Sequence, residues 1–335
     1  MDFLRAATLA EALELKASRP DALPIAGGTD VMVELNFDRR RPGALLDLSR
    51  IAELTTWSRT DGHVRLGAGV PYARIAKELA DVLPGLAIAS RSIGSPQIRS
   101  RGTVGGNLGS ASPAGDAHPP LLASGAAVEA ASMRGVRQVP IDEFFTGVRR
   151  NALEPDELIV AVHVPVSDGP QQFAKVGTRN AMVIAVCSFA VALHPSDGSV
   201  RTGIGSAAPT PVRARAAEDF AATAMRDLNL WERGAELPAD VAAGFGALVA
   251  DAAAPIDDVR GTAAYRRHAL SVIARRALRW VFESYQLTDG MHDARQSRRQ
   301  RRDLCRGLRM GGREPAVSAA RAPRTPGIEE RLRAG

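Results

Sequence analysis

The chain has 335 residues, 45% hydrophobic and only 4% aromatic, enough for two domains with cores built mainly from Ala, Val, Leu and Ile. Its formal charge of +6 belongs to the C-terminal end: residues 286–335 hold 12 Arg, no Lys and 6 acidic side chains, so the remainder is neutral and a nucleic-acid reading of the whole protein loses its support. Cys187 and Cys305 have no Cys or close His at ligand spacing, which excludes a cysteine-ligated iron–sulfur cluster and argues against a zinc site or a disulfide scaffold.

Strand-like and helix-like segments alternate, the pattern of a mixed α and β protein. Residues 1–20 read as an amphipathic opening helix with Leu9, Leu13 and Leu15, and not as a signal peptide. With no run of eighteen apolar residues and no disulfide framework, the expected setting is a reduced cytoplasm. A strand at Leu23–Ala26 ends in Gly27-Gly28. Thr29 or Asp30 then caps a helix carrying Val31, Val33 and Leu35. Strands follow at Ala44–Leu48 and at residues 63–69, and Pro71 starts a helix with Ile75 and Leu79 on one face. Residues 86–100 read as one helix approaching a second glycine-rich loop at 103–116. Leu121–Glu129 reads as buried, Ile141–Gly147 and Glu154–Leu158 as turns around short elements, and Leu158–Val164 as a strand stopped by Pro165.

Residues 167–171 look like a linker, and the pattern changes beyond it. Ala174–Gly177, Ala181–Leu193 and Val200–Ser206 suggest three antiparallel strands. Residues 212–226 and 237–253 are alanine-rich helical stretches, and Tyr265–Tyr285 is a strong final helix. From residue 287 the chain is arginine-rich and aperiodic, and reads as a disordered basic tail, either a basic arm or an abnormal C-terminus.

The chemistry sits in the two glycine-rich stretches, I-A-G-G-T-D at 25–30 and T-V-G-G-N-L-G-S-A-S-P-A-G-D at 103–116. Neither is a G-x-G-x-x-G or a G-x-x-x-x-G-K-[ST], which lowers the weight of Rossmann and P-loop readings. A bare backbone turns sharply and brings N–H groups to a ligand, so two such loops suggest a bound polyanion, the pyrophosphate of a dinucleotide. Gly27-Gly28 alone reads equally well as an ordinary tight turn. Thr29, Thr103, Ser110 and Ser112 can add hydroxyl donors, while Asp30 and Asp116 can accept from ribose hydroxyls or a ring N–H. Arg149 and Arg150 fit surface carboxylates or a substrate. His118 with Asp116 and Ser112 is rejected as a catalytic triad, because Pro119 and Pro120 suggest a rigid turn and no nucleophile elbow is present.

The first stretch, then I-R-S-R-G-T-V-G-G-N-L-G-S-A-S-P-A-G-D at 98–116, closely resembles the FAD-binding medium subunit of the molybdenum hydroxylases, a family that includes xanthine dehydrogenase and carbon monoxide dehydrogenase. F-F-T-G-V-R-R at 144–150, P-D-E-L at 155–158, K-V-G-T-R-N-A at 175–181 and Y-R-R-H-A-L-S-V-I-A-R-R-A-L at 265–278 extend the likeness over residues 1–285. Within the family the run A-S-P-A-G-D-A-H-P and the closing Y-R-R-H-A look more like xanthine dehydrogenase subunits.

The resemblance implies an α+β fold: an FAD-binding fold of the vanillyl-alcohol-oxidase (PCMH) type at 1–170, with subdomains at about 1–55 and 56–170. A C-terminal three-stranded antiparallel sheet with a helical bundle follows at 171–286, then the tail at 287–335. It implies that Pro24, Ile25, Ala26, Gly27, Gly28, Thr29, Asp30 and Val31 wrap the pyrophosphate, and that Thr103, Val104, Gly105, Gly106 and Asn107 form a second phosphate clamp. It places Asp116 near the polar groups of the flavin, Ile93 where some relatives set an aromatic over the ring, Ile159 as a source of backbone bonds, and Lys175 as a cation beside the flavin. Read on its own, Lys175 is also a plausible solvated strand residue, and Ile159 a core residue.

The implied partners are a molybdopterin-binding large subunit and a 2Fe-2S small subunit, with NAD as acceptor, in a dimer of heterotrimers. The implied function is electron transfer from iron–sulfur clusters through FAD to NAD in a xanthine dehydrogenase-type complex. The alternatives are the same flavin role in an aldehyde, carbon monoxide or other N-heterocycle hydroxylase, a non-redox nucleotide-binding protein, and a nucleic-acid binder driven by the tail.

Overall fold

The computed structural model describes residues 1–307 apart from Arg233, with side chains described through Leu287. The chain opens on a strand, β1 (Asp2–Arg5), and not on the expected helix. This strand is mostly exposed, so it carries no apolar alternation for the sequence to display. The helix α1 (Leu9–Ser18) begins after Thr8, whose hydroxyl accepts from the Glu11 N–H at 3.2 Å, while the Glu11 carboxylate accepts from the Ala7 N–H at 2.7 Å. Then come β2 (Leu23–Ile25), α2 (Val31–Asn36) and β3 (Ala44–Asp47), and the three strands form a parallel sheet in the order β1-β3-β2.

A short turn of helix at Ala52–Thr55 leads to β4 (Trp57–Thr60) and β5 (His63–Gly67). Five helices follow: α3 (Tyr72–Glu78), α4 (Pro84–Ser92), α5 (Pro96–Arg101), α6 (Val104–Ser110) and α7 (His118–Ser124). After β6 (Ala127–Ser132) and β7 (Gly135–Pro140) come α8 (Ile141–Phe144), the small pair β8 (Phe145–Gly147) and β9 (Arg150–Asn151), and β10 (Leu158–Pro165). The five-stranded sheet is antiparallel, in the order β4-β5-β10-β6-β7.

Three sequence expectations change here. The helix expected over 86–100 breaks at Ile93-Gly94, where Gly94 has φ +47°. Ser95 recaps the chain by accepting from the Ile98 N–H, and Pro96 takes the first position of α5. The stretch expected as a loop from 103 contains α6. Pro119 and Pro120 form the first turn of α7, where a missing N–H is harmless, and not a rigid turn.

The central strand β10 links two cores. Leu158 and Val160 pack with Leu46, Ile51 and Leu54 under the parallel sheet, whereas Ile159, Val162 and Val164 pack with Leu66, Ile75, Leu108 and Phe144 on the other side. A β-bulge between Ile159 and Ala161 resets the alternation, which explains why the sequence reads as an unbroken apolar run.

The third layer holds β11 (Gln171–Val176), β12 (Cys187–His194) and β13 (Ser199–Gly205), an antiparallel sheet in that order. Residues 167–171 thus end inside a strand, and β12 starts six residues later than expected because the Arg179 guanidinium donates to the carbonyls of Ala181 and Met182 and folds that segment back as a loop. The helices α9 (Arg215–Asp227), α10 (Ala239–Asp251) and α11 (Ala263–Gly307) cover this sheet through Phe189, Ile204, Met225, Phe245, Leu270 and Leu278.

The α11 backbone runs past the expected end at Tyr285, since residues 286–307 contain no proline and Gly290 is their only internal glycine. Residues 308–335 of the expected disordered tail lie outside the described residues. Among the described residues no helix is long and apolar enough to cross a membrane.

Candidate cofactor-binding cleft

The two glycine-rich stretches meet. Gly27 lies so close to the end of α5 that an added Cβ would stand 1.8 Å from the Arg101 carbonyl oxygen, which only glycine permits. Gly28 follows in the left-handed region, with φ +75°, and turns the chain from β2 into α2. Across this turn the N–H groups of Gly27, Gly28, Thr29, Asp30 and Val31 take no acceptor among the described residues. Asp30 occupies the N-cap position of α2 without a side-chain capping bond, and Thr29 makes none either. These five residues line a lobe of about 150 Å³ with Tyr72, Ile93, Gly102, Thr103, Gly106 and Asn107. A row of unused donors at a strand-to-helix turn is suited to an anion.

The second stretch plays a different part from the one its glycines suggest. The N–H of Val104 donates to Val70 O (3.4 Å), that of Gly105 to Ala68 O (2.9 Å), that of Gly106 to the Thr103 hydroxyl (3.0 Å) and that of Asn107 to Thr103 O (3.1 Å). All four are spent inside the protein, so this stretch supplies a wall and few free donors. Gly105 is glycine because a Cβ would stand 2.5 Å from the Ala68 Cβ. A Cβ on Gly106 would meet only the Thr103 hydroxyl, at 3.1 Å, which leaves that face open to the cleft.

A larger lobe of about 470 Å³ continues from the first and shares Pro24, Ala26, Asp30, Val31, Thr103 and Gly106 with it. Gly105, Gly109, Ser110 and Ile159 line it, with Leu48, Leu54 and Leu158 as an apolar floor. Its rim is charged. Arg149 pairs with Glu34 of α2, and Arg40 lies 3.8 Å from the same carboxylate, so Arg149 does bind a carboxylate, at the mouth of the cleft. Lys16 is buried against the lobe and donates to the carbonyls of Pro20 and Ala22, both at 2.8 Å; burial pulls its pKa down.

Ile25, Val104, Ser112, Asp116, His118 and Lys175, also singled out in the sequence, line neither lobe. Ile25 pairs with β3, Val104 is core, and Ser112 accepts from the Ala114 N–H. The Ser110 hydroxyl lines the lobe but donates to Asn107 O at 2.9 Å. Lys175 is not solvated: its side chain is 9% exposed and donates to Asp116 (2.6 Å) and to Ser92 O (3.0 Å), beside Ile93. Burial raises the Asp116 carboxyl to a pKa of about 6, against the pull of the lysine, and its Oδ1 has no partner among the described residues. His118 is buried, its Nε2 lies 3.2 Å from Asn107 O, and burial lowers its pKa to about 4. Among the described residues no hydrogen bond joins its ring to the Asp116 carboxylate or to the Ser112 hydroxyl, the contacts a triad would need.

Sequence reasoning missed Tyr72, Lys16, Glu34 and Arg40 as cleft residues. The one available signal was Tyr72, a rare aromatic directly after a helix-starting proline.

The geometry finds its counterpart in known proteins. Residues 1–167 match the family model described as FAD binding domain in molybdopterin dehydrogenase, and residues 172–281 match the CO dehydrogenase flavoprotein C-terminal domain. The chain is similar to the xanthine dehydrogenase FAD-binding subunit of Escherichia coli O157:H7, with 37% identity over 68% of this chain and 81% of that one. It is also similar to the nicotinate dehydrogenase FAD-subunit of Eubacterium barkeri, with 33% identity over 60% of this chain and 71% of that one. Among solved structures, reconstituted CO dehydrogenase from Oligotropha carboxidovorans superposes with a TM-score of 0.76 at 29% identity, covering 85% of this chain and 98% of that one.

Proposed function

We propose, for a chain that belongs to the FAD-binding subunits of the molybdenum hydroxylase family, that it carries electrons from iron–sulfur clusters of a partner subunit through FAD to NAD. The setting is a cytoplasmic xanthine dehydrogenase-type complex with a molybdopterin-binding large subunit and a 2Fe-2S small subunit, assembled as a dimer of heterotrimers. The observation that carries the reading is the row of five unused N–H groups at residues 27–31, facing a wall that lacks a side chain at Gly106.

The cleft fits FAD. The N–H row suits a diphosphate, and Asn107 Oδ1 in the smaller lobe and Asp116 Oδ1 beyond it, both unpartnered among the described residues, suit ribose hydroxyls or a ring N–H. When bound, FAD supplies an exchange between one-electron and two-electron transfer. The chain's own part is to bind and orient. Residues 24–31 hold the diphosphate, Thr103 and Gly106 shape the opposite wall, and Ile159 offers its main chain. Lys175 holds a positive charge beside Ser92-Ile93, neutralised in part by Asp116. No side chain is assigned a proton-transfer step. In this reading the FAD domain is residues 1–170, divided near 55, and the C-terminal domain is 171–286, a division supported by the break between β10 and β11.

Support for xanthine and hypoxanthine as the oxidised substrates is the 37% identity to a xanthine dehydrogenase subunit. A second reading keeps the flavin role and changes the substrate to another N-heterocycle, and the nicotinate dehydrogenase relative favours it. The full chain reconstituted with FAD should be yellow with about one FAD per chain, and Gly106→Asp should abolish binding by placing bulk and charge against the phosphates. A colourless chain that resists reconstitution refutes the flavin role. In the assembled complex xanthine should bleach the flavin and NAD restore it; bleaching by nicotinate alone selects the second reading.

A further inference from the structure

The hydroxyl of Tyr72 is an unexplained donor. The side chain opens α3 and is 2% exposed, yet its hydroxyl has no hydrogen-bond partner among the described residues. Its backbone N–H donates to Gly102 O at 3.1 Å, and its ring lies where a Cβ on Gly102 would be 3.6 Å away. The residue therefore stands under the junction of the two glycine-rich stretches and lines the smaller lobe with the unused N–H groups of residues 27–31. A buried hydroxyl left unpaired is costly, and a native fold tolerates one where a ligand completes it.

We infer that Tyr72 is a ligand-binding residue: its hydroxyl donates to a non-bridging oxygen of the diphosphate held by residues 27–31. This rests on the FAD reading above and adds a side-chain donor to a cradle otherwise made of main chain. The chemistry is one-sided. Burial and the nearby carboxylates of Asp116 and Asp30 hold the phenol in its protonated form, so beside an anion it acts as a donor and not as a second negative charge. Asp30 makes no side-chain capping bond and does not occupy the hydroxyl.

The test is Tyr72→Phe in the full chain, with three measurements. Titration with FAD should show affinity weakened about tenfold, the loss of one hydrogen bond to a charged group. ADP, which carries the diphosphate without the flavin, should lose affinity by a similar factor. The apoprotein should melt about 2 °C higher, because the substitution removes a buried polar group that has no partner before the ligand arrives. A structural hydroxyl predicts the reverse, a lower melting temperature and unchanged affinity, and that result overturns the proposal. Weakened FAD binding with unchanged ADP binding also overturns it, since the hydroxyl would then meet the flavin half. Failure of the underlying reading is separate and visible in the wild-type chain, which would then bind neither FAD nor ADP.

Discussion

The adjacent glycines 105 and 106 of α6 do different work, and substitution should separate them. At Gly105 a methyl would collide with Ala68, so Gly105→Ala should destabilise the fold by roughly 2–3 kcal/mol, read by chemical denaturation. At Gly106 the space beyond the backbone is cleft, so Gly106→Ala should leave stability within about 0.5 kcal/mol while weakening FAD binding more than tenfold. Equal losses of stability at both positions would contradict this division.

Asp116 and His118, two residues apart, give opposite pH dependence. The raised carboxyl of Asp116 favours its protonated form in the fold, so its contribution is full below about 3.8 and is lost as pH rises through about 6. The lowered ring of His118 favours its neutral form, so its contribution is full above 6.5 and is lost as pH falls through about 4. For His118 the swing is about 3 kcal/mol on the usual conversion of pKa to free energy. The stability difference between wild type and His118→Gln should therefore shrink between pH 6.5 and pH 4, and a pH-independent difference would contradict the assignment.

At the scale of elements, legibility in the sequence followed the range of the cause. The unit β2, glycine turn and α2 was legible because its causes are local: an apolar run, two glycines and a polar cap position. The strand β10 was legible from its apolar run, but the bulge that gives it two buried faces was not. The helix α6 was not legible, because the penalty for glycine in a helix is local whereas the reason for Gly105, its approach to Ala68, is tertiary. The same division applies to the cleft. The glycine stretches marked its place, but which of them keeps its N–H groups free depends on carbonyls of Ala68 and Val70, distant in sequence from the first stretch.

The helix α2 has no buried residue, and Met32 and Val33 are close to half exposed. Its tie across the cleft is the Glu34–Arg149 pair, of a kind that contributes modestly at a surface. Amide exchange at residues 27–36 should thus be among the fastest outside the termini in the apoprotein, and should slow at least tenfold on FAD binding. Equal exchange with and without FAD would contradict the placement of the ligand.

Across the whole molecule, the C-terminal layer is seated on α4, α7 and α8. A Cβ on Gly203 of β13 would stand 2.1 Å from Pro119 O in α7, and Gln171 accepts from the Gly85 N–H at 3.1 Å. Arg213 and Arg215 both reach Asp142 in α8, at 3.4 and 2.8 Å. These contacts bind the layers into one compact unit through Thr288. Thermal unfolding of the wild type should be a single transition. Gly203→Val should uncouple the layers and split it in two; a single transition at unchanged temperature would show that the seat carries no load.

The bareness of α2 has a consequence for how the protein is made and kept. A segment without a hydrophobic anchor of its own borrows order from whatever occupies the adjoining turn, so the dinucleotide serves this corner as an interior does elsewhere. A cell short of flavin would then accumulate chains whose weakest point, residues 27–36, is open to proteases while the remaining layers stay folded. Cofactor supply would set the lifetime of the subunit as well as its activity.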